Sequence, residues 1–230
     1  MEQLPKGYTL ELCEGAFPLS TDSVVLANFT KLPKNARVLD LGSGCGTLGM
    51  LLCAKDESCT VTGMELSQAA HDMALQNIRR NGLDSRLTSI CGDLRDMPAN
   101  FTTGTFHVCV SNPPYFSGGP ASSATPLARR DDCCNPRQLM AAASWALNYG
   151  GDFFLVHKPE KLAQLIACAA AYQLEAKKLL LLRHRENGPI SLILLQLRKG
   201  GKPGLIITEN SLFDSRDQPT ALFREAYHIP

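Results

Sequence analysis

The sequence predicts a doubly wound α/β fold: a seven-stranded, mostly parallel sheet with helices on both faces and an antiparallel C-terminal hairpin. Three observations predict it. Short β-rich runs alternate with stretches of helical periodicity through most of the chain, as crossover connections between parallel strands require. The 230 residues are 44% hydrophobic and 20% charged with a net charge of +1, a globular composition without internal repeats or low-complexity tracts. A chain of this size can hide about 70% of the surface its unfolded form exposes. Finally, Asn187–Gly188 lies between the last two apolar runs, a tight-turn signal that makes those strands antiparallel.

The elements follow in order. Thr21–Lys31 is predicted helical, with Ser20 or Thr21 able to accept from an early helical N–H and Val24, Val25, Leu26 and Phe29 forming its apolar face. Strands are expected at Ala36–Leu41, Thr60–Leu66, Arg86–Cys91, Phe106–Ser111, Asp152–His157, Leu174–Arg183 and Ser191–Arg198. Crossover helices fit Thr47–Lys55, Ser67–Asn81 closed by Gly82, Pro136–Asn148 closed by Gly150–Gly151, and Pro159–Tyr172. Two loops stand out as long, Asn112–Asn135 and Lys199–Gly204, and the first, at a strand end, is a candidate lid. One domain is expected over 1–230, with an N-terminal extension and helix (1–35), a core (36–198) and a C-terminal tail (199–230).

No apolar run approaches the roughly 18 to 20 residues that span a bilayer, and the N-terminus has no basic, apolar leader pattern. A cytoplasmic protein with no membrane partner is expected. The nine cysteines (13, 45, 53, 59, 91, 109, 133, 134 and 168) are odd in number and contain no C-x-x-C pair. Neither a disulfide framework nor a zinc site fits, so they read as small buried hydrophobes, and no metal is expected.

Candidate chemistry lies at the strand ends. In VLDLGSGCGTLGM, Asp40 precedes Gly42, Ser43, Gly44 and Gly46, and a helix begins directly after them. Glycines there allow a sharp turn and close backbone approach to a ligand, while the helix N-terminus offers free N–H groups. Glu65 ends the next strand, where its carboxylate can accept from two vicinal ribose hydroxyls. Its plainer role is an acid at the start of the Ser67 helix. Asp93 ends the third strand and can accept from an adenine amino group, or simply cap a short turn.

The most informative stretch is Ser111-Asn112-Pro113-Pro114-Tyr115 after the fourth strand. Its prolines fix φ and remove two donors, so the Asn112 side-chain oxygen and the Pro113 carbonyl can both accept from one amino group. A planar exocyclic NH₂ is a poor nucleophile, because its lone pair is delocalised into the ring. Two acceptors holding its hydrogens favour the pyramidal form that attacks, and Tyr115 can stack on the base to hold it in line.

In this order, VLDLGSGCG, Glu65, Asp93 and Asn112-Pro113-Pro114-Tyr115 resemble the Rossmann-like class I methyltransferases that use S-adenosylmethionine to modify amino nitrogens. More narrowly, STDSVVLANF, NPPYFSGG, VHKPEKL and the short tail resemble the tRNA(Val) adenine N6-methyltransferase family, a methyltransferase small domain group, over roughly residues 8–228. The resemblance implies that Asp40 and Gly42–Gly46 bind the amino-acid end of S-adenosylmethionine, which leaves as S-adenosylhomocysteine. It also implies that Glu65 binds the ribose, that Asp93 and Leu94 hold the adenine, that Leu66 packs beside that ring, and that Asn112 lies between donor and target. Asp22 is a candidate for closing the donor pocket, with helix capping an equal alternative.

A tRNA adenine, in an anticodon loop, is the expected substrate, since flipping costs least for an unpaired base. A protein glutamine amide and a small-molecule amine are the alternatives. The first usually comes with an extra N-terminal helical domain, yet only 35 residues precede the first strand; the second usually needs a helical cap. Restriction-type DNA adenine methylation needs a target-recognition domain, ribosomal guanine N2-methylation usually a duplicated domain, and a donor-binding protein without catalysis has little use for Asn112 and Tyr115. Charge is uneven, −3 over residues 1–120 and +4 over 121–230. Lys177, Lys178, Arg183, Arg185, Arg198, Lys199 and Lys202 are set against Glu186 alone in that stretch, a candidate phosphate-facing surface joined by Arg129 and Arg130. The plainer reading is a charged edge hairpin that keeps the protein monomeric.

Overall fold

The computed structural model describes residues 1–16, 18–114 and 135–227. β1 (Glu2–Gln3) and β2 (Thr9–Leu10) form a small antiparallel ribbon. There follow α1 (Thr21–Phe29), β3 (Arg37–Leu41), α2 (Thr47–Lys55), β4 (Thr60–Glu65), α3 (Gln68–Arg80), β5 (Leu87–Cys91) and β6 (Phe106–Ser111). The chain continues through α4 (Pro136–Ala146), β7 (Leu147–His157), α5 (Leu162–Ala171), β8 (Leu174–Arg185), β9 (Ile190–Lys199), β10 (Ile206–Phe213) and α6 (Ala221–Tyr227). The main sheet has the order β10-β8-β9-β7-β6-β3-β4-β5, and only β9 runs against the rest. Strand order reverses beside β3, with β4 and β5 on one side and β6 and β7 on the other. A crevice at the carboxyl ends of the strands is therefore expected there.

Successive residues of each strand serve opposite faces. Val38, Val108, Val110, Phe154 and Leu194 join one core with α1, α2, α3 and α6. Leu39, Leu41, Cys109, Phe153 and Leu195 join the other with α4 and α5. Phe153 and Phe154 are fully buried, and each such side chain contributes about 1.5–3 kcal/mol through burial. Local chemistry sets the helix ends: Ser20 and Ser67 cap α1 and α3, and Asn135 with Gln138 forms a capping box on α4. Gly82 adopts φ +63° directly after α3, the left-handed stop expected of a glycine there.

The sheet departs from expectation in three places. It has eight strands, because the tail contributes β10 and then α6. The β8–β9 hairpin is present but is not the sheet edge, since β9 lies between β7 and β8 and β10 covers β8. Helix α4 stops at Ala146 instead of Asn148, and β7 begins at Leu147, with a register shift opposite β6 before the pairing resumes at Asp152. Gly150, at φ +82°, therefore serves this irregular strand start instead of a helix cap. Of the cysteines, Cys45, Cys53, Cys59 and Cys109 are buried as expected, whereas Cys91 is exposed. Among the described residues no helix is long and apolar enough to cross a membrane.

Candidate active site

The carboxyl ends of β3, β4, β5 and β6 bring the candidate residues to one side of the sheet. After Leu41 the chain turns through Gly42 and Gly44 at φ +77° and +55°, and a Cβ on either would meet nothing within 4 Å. Both backbones thus border open space, as a ligand cradle requires. The loop is held down by Gly42 and Ser43, whose N–H groups donate to the Met64 carbonyl at 2.9 and 3.1 Å. Gly63 makes this seat possible, since a Cβ there would lie 2.6 Å from Ser43 Oγ. Gly46, at φ +88°, then precedes α2.

Asp40 is fully buried beneath the loop, where the N–H of Gly49 only partly offsets the cost of its charge. Burial, and then the charge of Glu65, push this carboxyl up to about 7. Asp40 Oδ2 and Ser43 Oγ have no hydrogen-bond partner among the described residues. An open glycine cradle above unspent polar atoms fits a polar, cationic ligand end.

Glu65 bridges two backbones: Oε2 accepts from Gly44 N and Oε1 from Ser67 N, each at 2.8 Å. It thereby performs the plainer helix-start role and ties β4 to the glycine loop, with further lone pairs on each oxygen. Leu66 beside it is 47% exposed, an apolar surface offered at the crevice rim. Asp93 caps the short 3-10 turn over 94–99 by accepting from Arg95 N at 2.8 Å. The Arg95 guanidinium also binds its carboxyl, and this contact and then the N–H hold Asp93 below the usual carboxylate range. Leu94 is half-buried against the α4–α5 core.

Asn112 leaves β6 directly beside β3, and the Ser111 hydroxyl, donating to the Leu41 carbonyl at 2.7 Å, ties the two strand ends together. Asn112 Nδ2 donates to Ser23 Oγ of α1 at 2.9 Å. Pro113 is buried and Pro114 half-buried. Tyr115, Arg129, Arg130 and most of the candidate lid lie outside the described residues.

Sequence reasoning gave no role to three supporting residues. Ser23 and Ser111 are small polar residues in apolar stretches, and Asn77 is one amide within a helix. Asn77 is fully buried. Its Nδ2 donates to the carbonyls of Cys45 (3.0 Å) and Glu11 (2.8 Å), and its Oδ1 accepts from Glu11 N (2.9 Å). It fastens the N-terminal segment to the glycine loop.

The seven expected cations do not form one patch facing Glu186 alone. Arg183 pairs with Glu209, Arg185 with Asp217 and Arg198 with Asp152. Lys177 donates to the Lys202 carbonyl, and Lys199 to the carbonyls of Ser144 and Leu147. The matching acids are distant in sequence, which hid them. Register also separates the cations: Lys178 is level with Val110 across the intervening strands, Arg198 with Val108, while Arg183 lies beyond the level of His157.

A family model, the methyltransferase small domain, matches residues 19–168. The chain belongs to this methyltransferase family. Among its curated relatives, a tRNA1(Val) (adenine(37)-N6)-methyltransferase of Bacteroides fragilis is 28% identical over 228 residues, covering 96% of this chain and 95% of that protein. One of the same name from Aeromonas salmonicida is 28% identical, covering 85% and 82% respectively. Among solved structures, a protein described as a predicted O-methyltransferase from Agrobacterium tumefaciens superposes with a TM-score of 0.77 at 20% identity, covering 90% of this chain and 96% of that one. TrmN from Thermus thermophilus gives 0.57 at 17% identity, covering 77% and 48%. These two likenesses concern the methyltransferase fold. The small-domain match runs from α1 into α5, and so includes the glycine loop and Asn112.

Proposed function

We propose that this methyltransferase moves a methyl group from S-adenosylmethionine to the exocyclic amino group of an adenine in a tRNA anticodon loop, within the cytoplasm. The observation that carries the chemistry is Asn112, followed by two prolines at the end of β6 and anchored through Nδ2, which turns Oδ1 the other way. The named activity of relatives matched along almost the whole chain favours tRNA over a protein or small molecule.

When bound, S-adenosylmethionine supplies an electrophilic methyl group on a sulfonium sulfur. On this chain, Asp40, Ser43 and the Gly42–Gly46 backbone would take the amino-acid end, Glu65 the ribose hydroxyls, and Asp93 and Leu94 the adenine, with Leu66 against its ring. Asn112 Oδ1 and the Pro113 carbonyl would accept from the target amino group, freeing its lone pair for attack on the methyl carbon as the sulfur–carbon bond breaks. The cationic amine so formed is strongly acidic and loses its proton to solvent, so the site needs no dedicated base. Orientation lowers the barrier. Tyr115 remains the proposed stacking residue. Of the seven cations proposed as the RNA-facing surface, three are in ion pairs and Lys177 and Lys199 are spent on backbone carbonyls; the side chains of Lys178 and Lys202, with neither kind of partner among the described residues, are its proposed core.

The test is incubation with methyl-labelled S-adenosylmethionine and unmodified bulk tRNA, with a protein extract in parallel, followed by digestion and identification of the product. N6-methyladenosine is expected; label in a glutamine side chain moves the same chemistry to a protein. Asn112→Ala should abolish turnover while leaving donor affinity within a few-fold. Near-normal turnover in that variant sinks the assignment.

A further inference from the structure

We infer that Ser23 is a positioning residue for methyl transfer, fixing which end of the Asn112 amide faces the target nitrogen. The inference rests on Asn112 being the group that grips that nitrogen. An asparagine amide presents an acceptor on one side and two donors on the other, and rotation by half a turn exchanges them. With Oδ1 outward it can accept from an amino group; with Nδ2 outward, donor would meet donor. Nothing in the proline-stiffened backbone distinguishes the two, so the choice falls to the neighbour of the amide.

That neighbour is Ser23 Oγ, 2.9 Å from Nδ2, on a side chain only 7% exposed. A serine hydroxyl could in principle bond either end of the amide. Here Ser20 Oγ lies 3.5 Å from Ser23 Oγ, on the helix-capping residue. If Ser23 gives its proton to Ser20, its lone pairs are what Asn112 meets, and only Nδ2 can answer them.

The helix that carries Ser23 is pinned at both ends. At its start the Tyr227 hydroxyl of α6 is 3.0 Å from Thr21 Oγ1. At its end the Lys55 ammonium donates to the carbonyls of Ala27, Asn28 and Thr30 at 2.8, 2.6 and 2.8 Å. Phe29 meets Phe154 of β7 edge to face, with ring centroids 5.9 Å apart. Ser23 is thus a fixed reference, held by elements from both ends of the chain, against which a catalytic amide is aligned. Misplacement of a reacting group by about 1 Å can cost about 100-fold in rate, so the alignment has leverage.

The test measures single-turnover methyl transfer at saturating donor and tRNA, together with donor affinity and melting temperature. Ser23→Ala should lose roughly tenfold or more in rate while donor affinity stays within twofold and the fold remains intact. Ser23→Thr, which keeps the hydroxyl, should recover most of the loss. Wild-type rate in Ser23→Ala, or a loss that only follows donor affinity, overturns the inference. An inactive wild type or an active Asn112→Ala protein would instead overturn the reading of the site beneath it.

Discussion

Asp40 sits sealed under the glycine loop with Glu65 nearby, and its carboxyl keeps a proton up to about pH 7. In the unfolded chain it ionises near about pH 4. Between those values the native state holds a proton that the unfolded state has lost, so this residue's contribution to stability is present at low pH and disappears as pH rises through about 7. Asp40→Asn should flatten that part of the profile and raise the melting temperature of the ligand-free protein at about pH 8 by roughly 2–4 °C for each kcal/mol recovered. Melts between about pH 4 and 8 check it, and an unchanged slope would exonerate Asp40. A donor ammonium placed beside Asp40 would stabilise its charge, so binding near pH 6.5 should release protons, read by calorimetry in buffers of different ionisation heat. The sequence showed where this residue lies, at the end of a strand before glycines. It could not show which of its lone pairs the fold would leave unspent. Glu65 and Asp93 make the same point: both stand where expected and take the helix-start and turn-cap roles the sequence allowed, yet Glu65 also holds the Gly44 N–H and Asp93 the Arg95 guanidinium, which no spacing announces.

Helix α3 does more than cover the sheet, because its inward amides act as substitute strand partners for the N-terminal segment. Asn81 exchanges two hydrogen bonds with Thr9, donating to its carbonyl and accepting from its N–H, each at 2.8 Å. Asn77 does the same for Glu11 and also holds the Cys45 carbonyl. Asn77→Ala leaves those groups without their partner and should cost about 3 kcal/mol. The melting temperature should fall by roughly 6–12 °C, with weaker donor binding as the loop loosens, checked by melts and donor titration. A drop below about 1 kcal/mol would mean that water replaces the amide readily. Helices α1 and α3 were legible from the signals at their ends, Ser20 before α1 and Gly82 after α3. β10 was not, because Thr208, Glu209, Asn210 and Ser211 interrupt the apolar pattern, and an edge strand whose first half is exposed needs no such pattern. The end of α4 was misjudged because Gly150 imitates a helix stop while serving an irregular strand.

Across the molecule, the sequence order of strands and helices was enough to foresee a doubly wound sheet with its candidate residues at the strand ends. The distribution of charge was not, since Glu209, Asp217 and Asp152 return from distant parts of the chain to match arginines counted as free. If Lys178 and Lys202 meet phosphates, Lys178→Ala with Lys202→Ala should lower the dependence of log affinity for tRNA on log salt by about 1.5. Equilibrium binding at several salt concentrations reads this directly, and an unaltered slope would assign RNA contact to other cations. The packing of the last helix against the first also has a consequence in time. Ribosomes deliver the N-terminus first, so α1 emerges early but lacks its Tyr227 clasp until α6 has been made. If Ser23 aims Asn112, that aim is secured only once α6 has docked on α1. A chain cut before α6 would keep the glycine loop and Asn112 yet lack the clasp on the helix that carries Ser23.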